Sequence, residues 1–410
     1  MKFIHTADLH IGQVLYQNYG RTDEHDHFFS QLTMWCRDHR PDALLVSGDV
    51  FDIQQPGAYV KEDFTRYFVT LIDECPEMDV IITAGNHDSA SRLHADRRIW
   101  KRSKVHIVGL PPVSDPPEDS DEWMDDFIIR LEAGYVVALP HMTGGRSLTV
   151  QALLDKVAAE NTEGKPVVMM GHLTVSDADV TGHDFTIGNI KTTDVKDMGT
   201  GYDYLALGHI HRPQTIGHQE DVFKDDVVYP SGVVRYSGSP LHVSCDETYP
   251  HSVSLVEIKE RGADVDIHLL NVDQLRHFYV LPENPDESFG SSDEALKAVG
   301  TFVRDTKSGY FRLRIAYDAA IPSDFNQLIY DAIKSSGNEA RYNPKVIWTG
   351  VPQESRREDL VFEVADLQQM TDPMEFVGKT LDRYQGLDLE DLRKMFMEVE
   401  MEVKAMKEDK

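Results

Sequence analysis

Five strand-like runs in this chain end in the same kind of chemistry, and that repetition limits the possible folds more than any other feature. Residues 79–88 (DVIITAGNHD) show it most sharply. Val80, Ile81 and Ile82 read as a buried strand, Gly85 permits an abrupt turn, and Asn86, His87 and Asp88 follow at once. Residues 3–7 run into Asp8-Leu9-His10, residues 43–47 into Gly48-Asp49-Val50-Phe51-Asp52, residues 167–170 into Gly171-His172, and residues 204–207 into Gly208-His209-Ile210-His211. One such ending is ordinary; five, in a chain with 18 histidines, are not. Open α/β sheets gather ligands beyond the C-terminal ends of their strands. Parallel strands of one sheet would therefore bring all five endings to a single edge, where imidazoles, carboxylates and one amide converge.

The segments between these strands fit that reading. Residues 24–40 place Phe28, Phe29, Leu32, Trp35 and Cys36 on one helical face before Pro41 stops the helix, and residues 59–75 do the same with Phe64, Tyr67, Phe68, Leu71 and Ile72. This alternation is the βαβ rhythm of a largely parallel sheet covered by helices. A hairpin is expected over 127–131 and 135–139, a helix over 149–160, and a long polar loop over 176–200 beside His172. From Val227 short alternating strands are expected to close a second sheet, and with it the first domain, near residue 272.

Beyond that point the pattern changes. Residues 273–350 read as a small α+β cap domain in β-α-β-α-β order, with Ser291 and Glu294 spaced as a capping box. A polar linker follows, then two helices over 372–384 and 387–407. The second has Leu389, Leu392, Met395, Phe396, Val399 and Val403 on one face, so it either packs on its own domain or docks on a partner.

A chain of 410 residues is expected to hold two or three domains. No apolar run approaches the roughly 20 residues of a membrane span, no signal peptide is read at the start, and the three cysteines suggest neither a disulfide framework nor a zinc knuckle. The expectation is a cytoplasmic protein with no membrane partner. Its net charge of −29 argues against simple duplex binding, which depends on Lys and Arg neutralising phosphates. Part of that excess lies in an acidic segment at 115–126, and part would be absorbed by bound divalent cations.

Histidine, aspartate and asparagine without cysteine suit Mn²⁺, Fe²⁺ or catalytic Zn²⁺ better than structural zinc or Mg²⁺. Asp8, His10, Asp49, Asn86, His172, His209 and His211 are too many for one ion. They fit two ions roughly 3.5–4 Å apart with a bridging carboxylate, a pair that activates water for in-line displacement at phosphorus. His87 is left over beside Asn86, well placed to protonate a leaving alkoxide, and Asp52 is its natural orienter.

In that order, the five endings (DxH, GDxxD, GNHD, GH and GHxH) resemble the calcineurin-like metallophosphoesterase superfamily. The wording HTADLHIG, SGDVFD, AGNHDS, GHLT, ALGHIHRP and YSGSP is similar, within it, to the SbcD family of bacterial nuclease subunits. The resemblance implies an α/β two-sheet sandwich flanked by helices, with nuclease, cap and C-terminal helical segments at 1–272, 273–350 and 351–410. It implies Asp8, His10 and His211 on one ion, Asn86, His172 and His209 on the other, Asp49 bridging, and His87 and Asp52 in catalysis. It also implies two divalent ions, Mn²⁺ before Mg²⁺, and DNA ends or hairpins as substrate. The partners it implies are an SbcC-type SMC-like ATPase, which would share the work of binding DNA, and a homodimer giving a heterotetramer. A two-fold contact through the helix at 59–75, with its aromatic Tyr67 and Phe68, and the run 91–100 is part of that expectation, against the alternative that these rings simply pack in the core. The alternative is a small-molecule phosphodiesterase or phosphatase of the same superfamily.

Overall fold

The computed structural model describes residues 1–112, 121–142, 147–180, 192–218, 223–244, 247 and 249–350. The predicted tail helices and parts of the acidic and polar loops lie outside these residues. The chain divides into two compact units, Met1–Ile315 with Ala319–Ile347, and Ala316–Asp318 with Trp348–Lys410.

Two sheets form the centre of the first unit. In the seven-stranded sheet, Lys2–Thr6, Ala43–Ser47, Asp79–Thr83 and Val105–Val108 run parallel. Ser252–Ile258 pairs antiparallel with Lys2–Thr6, and Val265–Asn271 and Val227–Tyr229 continue the sheet outward. In the six-stranded sheet, Tyr135–Ala138, Val167–His172, Tyr204–Gly208 and Val233–Tyr236 run parallel, with Ile128–Arg130 and Gln214–Thr215 antiparallel at the edges.

This corrects two expectations. The five motif-bearing strands belong to two sheets, three to the first and two to the second. The strands after residue 250 extend the first sheet, whereas the second is built from residues 128–236. The reason lies in burial on both faces of Ser252–Ile258: Val253 and Leu255 join the helix-side core while Val256 and Ile258 join the inter-sheet core. Such a strand belongs inside a sandwich, beside Lys2–Thr6, where His5 registers with Ser254.

The period of two along each parallel strand divides the interior into layers. Phe3, Leu45 and Ile81 face the second sheet and pack with Met170, Tyr204 and Leu205. Ile4, Leu44, Val46, Val80 and Ile82 face the helices Thr22–His39 and Ala58–Glu74. Thr22–His39 opens with Asp23 and Glu24, whose charge suits a helix N-terminus, and ends at Arg40 in a left-handed conformation (φ 47°) just before Pro41. The two helices are joined by rings, Phe29 stacking on Tyr67 at 4.1 Å with Phe68 edge-on to Phe29. Tyr67 and Phe68 are therefore core residues and not a dimer face.

Residues 278–347 build their own core around Val299, Val303, Phe311, Leu313, Phe325 and Ile329, on parallel strands Phe278–Leu281, Ser308–Ala316 and Glu339–Tyr342. Helix Ser292–Asp305 is capped by the Ser291 hydroxyl, which accepts the Glu294 N–H at 3.3 Å. The Glu294 carboxylate reaches back to the Gly290 N–H, one residue earlier than in the usual reciprocal box. Buried Glu24 ties this layer to the helices: its carboxylate accepts hydrogen bonds from Tyr310 Oη (2.6 Å), Arg276 and Arg341 (3.2 Å each) and Arg21 Nε (2.7 Å).

Candidate metal centre

The C-terminal ends of the five strands meet, and their loops are held in conformations that side chains seldom adopt. Asp8 (φ 55°), His10 (φ 46°), Asp49 (φ 48°) and His209 (φ 99°) all have positive φ, four of the nine such non-glycine residues among those described. Strain of this kind persists only where surrounding structure enforces it, and it clusters at functional sites. Main-chain bonds supply the enforcement: the N–H groups of Asp8, His10 and Ile11 donate to the carbonyls of Gly48, Asp49 and Val50. The motif glycines answer to the same crowding. A Cβ on Gly48, Gly85 or Gly208 would lie less than 3.0 Å from His172, Asp49 or Ser47 respectively.

Within this cage the predicted ligands form two groups. Asp8, His10 and His211 present ligand atoms within 4.8 Å of one another, as do Asp49, His172 and His209. Asn86 closes the second group, with His172 Nε2 and His209 Nδ1 each 2.9 Å from its Oδ1. Asp49 reaches towards His172 (Oδ2 to Nε2, 3.4 Å) and accepts the His87 N–H on Oδ1 at 2.8 Å. Asp8 accepts the His209 N–H on both oxygens, at 3.0 and 3.1 Å.

Each of three buried imidazoles is held on its outer side, which turns the other ring nitrogen inward. His172 Nδ1 donates to the Ser47 carbonyl (2.8 Å) and His211 Nδ1 to Glu247 Oε1 (3.0 Å). His10 Nδ1 lies 3.3 Å from Asp52 Oδ1, an ion-pair contact without hydrogen-bond alignment, and its buried Nε2 has no hydrogen-bond partner among the described residues. Outer partners of this kind fix the tautomer and raise the basicity of metal-binding histidines. With Nδ1 donating to Ser47, His172 turns Nε2 to the Asn86 oxygen, a contact that calls for positive charge, whether a proton on the ring or an ion bound by both groups. The electrostatics agree. Burial works against a charged His10 and a charged His172, yet the Asp52, Asp49 and Asp8 carboxylates around them outweigh it, holding both rings up at about 9. Burial opposes the Asp49 carboxylate too, but the neighbouring histidines, His172 first, hold its pKa far below the usual carboxylate range. The donor set and its geometry fit two divalent ions.

One expected pairing differs. His87 Nδ1 donates to the main-chain carbonyl of Asp52 at 2.8 Å, while the Asp52 carboxylate turns to His10. The main chain of Asp52 is set by its own N–H on the Ile11 carbonyl (3.3 Å) and by the bridge between Ile11 and Phe51, so its carbonyl is the group His87 meets.

Three contributors were given no role from the sequence. Asp88, buried, accepts the N–H groups of Val50 (3.1 Å), Phe51 (2.9 Å) and Gly85 (2.8 Å), lashing the GDVFD and GNHD turns together. Burial, with Asp49 close by, pushes its carboxyl up to about 6. Its place within GNHD was the available signal. Glu247 orients His211, and His141 donates from Nδ1 to the His172 carbonyl at 3.0 Å. Nothing local in the sequence marks either one.

A fold of two packed sheets with a histidine–carboxylate cluster at their common edge defines the class. A family model described as calcineurin-like phosphoesterase matches residues 1–213 of the 410, and the chain belongs to that family. More particularly, it is similar to the D subunit of the SbcCD nuclease from Rhodobacter capsulatus, 30% identical over 287 residues, which cover 63% of this chain and 66% of that protein. The Escherichia coli K12 protein of the same name is 30% identical over 264 residues, 60% of this chain and 62% of that one. The Bacillus subtilis protein is 26% identical over 290 residues, 63% and 66%. The chain thus spans just under two thirds of the length of these relatives. A dimetal phosphatase from Danio rerio overlaps 66% of this chain and 99% of its own at 13% identity, with a TM-score of 0.33, too loose a likeness to carry an argument.

Proposed function

We propose that the chain is a two-metal phosphodiesterase that cuts DNA, as a double-strand exonuclease and a single-strand or hairpin endonuclease, alongside an SbcC-type SMC-like ATPase. One observation carries the reading: seven ligand side chains from five strand ends converge, with the outer nitrogens of His10, His172 and His211 already facing protein oxygens. The names of the relatives supply a nuclease and the SbcCD complex, the motif resemblance supplies DNA and the ATPase, and the acid–base chemistry comes from the site.

Asp8, His10 and His211 would hold one ion and Asn86, His172 and His209 the other, with Asp49 between them. Bound there, two divalent ions, Mn²⁺ before Mg²⁺, would supply an activated water and neutralise charge developing at phosphorus. His87 keeps its Nδ1 proton on the Asp52 carbonyl, which leaves Nε2 as the ring atom that can pass a proton to the leaving oxygen. Asp52 acts on the site through His10. Residues 91–104 offer Arg92, Arg97, Arg98, Lys101, Arg102 and Lys104 against one acidic residue, a local exception to the net charge of −29. The division into nuclease (1–272), cap (273–350) and partner-binding tail (351–410), the homodimer within a heterotetramer, and a cytoplasmic setting belong to the same proposal. No helix among the described residues is long and apolar enough to cross a membrane.

The test is cleavage of linear duplex and hairpin DNA with Mn²⁺, with and without the partner ATPase. Mn²⁺-dependent cutting that His87→Ala abolishes, while both ions stay bound, is the expected result. Hydrolysis of small phosphodiesters with no action on DNA under any condition would replace this reading with a small-molecule phosphodiesterase.

A further inference from the structure

Two more histidines and the glutamate that orients His211 meet on the connection between strands Val233–Tyr236 and Ser252–Ile258. We propose that His242, Glu247 and His251 form a third cation site, taking zinc or another imidazole-preferring divalent ion, which clamps the turn that presents Glu247 to His211.

The geometry is that of a prepared donor set. His251 Nδ1 donates to the Ser239 carbonyl at 2.7 Å, which turns its Nε2 lone pair towards the other two residues. That Nε2 lies 3.0 Å from His242 Nδ1 and 3.6 Å from Glu247 Oε2, and the three ligand atoms all lie within 4.8 Å of one another. A tetrahedral ion with bonds of about 2.0–2.2 Å separates neighbouring donors by roughly 3.3–3.6 Å, close to the spacing found. The two carboxylate oxygens of Glu247 are divided between tasks. Oε1 accepts from His211 Nδ1 at 3.0 Å, whereas Oε2 faces this cluster and accepts the Val243 N–H at 2.8 Å.

The competing arrangement places a proton where the cation would sit. His242 Nδ1 would then serve two acceptors with one hydrogen, because the Glu247 main-chain carbonyl is also 3.0 Å away. Two acceptors, His251 Nε2 and the Glu247 carbonyl, around one proton leave the group one donor short. Glu247 and His251 are buried, so bulk water does not supply it. Two imidazoles and one carboxylate are a zinc-type set, unlike the all-oxygen shells of Ca²⁺ and Mg²⁺. The turn is also braced from outside: Arg21 Nη1 donates to the His242 carbonyl at 2.5 Å and to Gln13 Oε1 at 2.7 Å. An ion here would fix both ends of the turn and, through it, the angle of His211.

The experiment is an anomalous difference map on crystals of the full chain equilibrated with micromolar Zn²⁺, collected on both sides of the zinc edge. It is paired with metal analysis of the dialysed protein. The expected result is a zinc peak bounded by His242, Glu247 and His251, and three metal equivalents per chain. His251→Gln and His242→Gln should each retain two. The absence of a peak there, a peak only at millimolar zinc, or three equivalents retained by both variants would overturn the proposal. If either variant fails to fold, the wild-type map decides alone. The pair of ions at the strand ends is read from the same map, so failure at one site is distinguishable from failure at the other.

Discussion

Three imidazoles of the proposed metal pair are aimed from behind by the Ser47 carbonyl, by Glu247 and by Asp52, and these partners would set how firmly the ions are held. Asp52 touches His10 with its carboxylate and His87 only with its carbonyl. Asp52→Asn should therefore weaken metal binding by about 10–100-fold, as loss of such an outer partner does, with turnover recovering at saturating Mn²⁺. A Mn²⁺ titration of activity and of metal content checks this; reduced turnover with unchanged metal affinity would return Asp52 to His87. Asp88 makes a different prediction. An amide in its place turns an N–H₂ towards one set of main-chain donors that the carboxylate now satisfies, so Asp88→Asn should cost about 1–3 kcal/mol of stability. Thermal denaturation without metal reads that loss. The convergence of the candidate ligands was legible because each sits at a strand end whose residue types are rare together. Their outer partners were not. Ser47 acts through a carbonyl that any residue carries, and Glu247 lies 36 residues from His211.

The helices were legible at the scale of the element because a 3.6-residue apolar period declares them: those expected over 24–40 and 59–75 are Thr22–His39 and Ala58–Glu74. Sheet membership was not legible. A period of two says that one or both faces of a strand are buried, and Ser252–Ile258 satisfies either sheet on that criterion. The attachment of the cap layer was equally hidden, since Glu24 and Tyr310 are 286 residues apart. That attachment gives the prediction proper to this scale. Glu24 is the carboxylate shared by Arg21, Arg276 and Arg341; Asp23 also pairs with the last two, so Glu24→Ala leaves the buried Arg21 guanidinium as the charge without a carboxylate. A loss of about 3–5 kcal/mol is expected, because removing one member of a buried ion group exposes the full desolvation cost of the rest. Urea denaturation should show it, whereas Tyr310→Phe, which removes one neutral donor, should cost about 0.5–1.5 kcal/mol. Equal effects from the two substitutions would mean that the charges are solvated and the junction is held by packing alone.

For the whole molecule, the proposed homodimer must rest on residues other than Tyr67 and Phe68, which the core has taken. The exposed apolar side chains in the same region are Tyr59, Val69 and Ile99, the last 71% exposed. Ile99→Glu should shift the sedimenting species from dimer to monomer without unfolding, and a wild-type chain that stays monomeric at high concentration ends the dimer proposal. The tail makes the larger claim. Leu389, Leu392, Met395, Phe396, Val399 and Val403, outside the described residues, recur at helical spacing in a segment otherwise rich in charge, a sequence pattern suited to a helix laid in an apolar groove. If an ATPase coiled coil provides that groove, a chain ending near residue 350 should still bind its metals and hydrolyse bis-p-nitrophenyl phosphate, because every proposed ligand of the metal pair precedes residue 212. It should fail to co-purify with the ATPase and lose ATP-dependent DNA processing. Phe396→Asp should reproduce the second defect in the full chain, since one charge buried among apolar contacts costs several kcal/mol. Tight co-purification of the shortened chain would place the partner surface before residue 350 and leave the stripe to pack on its own molecule.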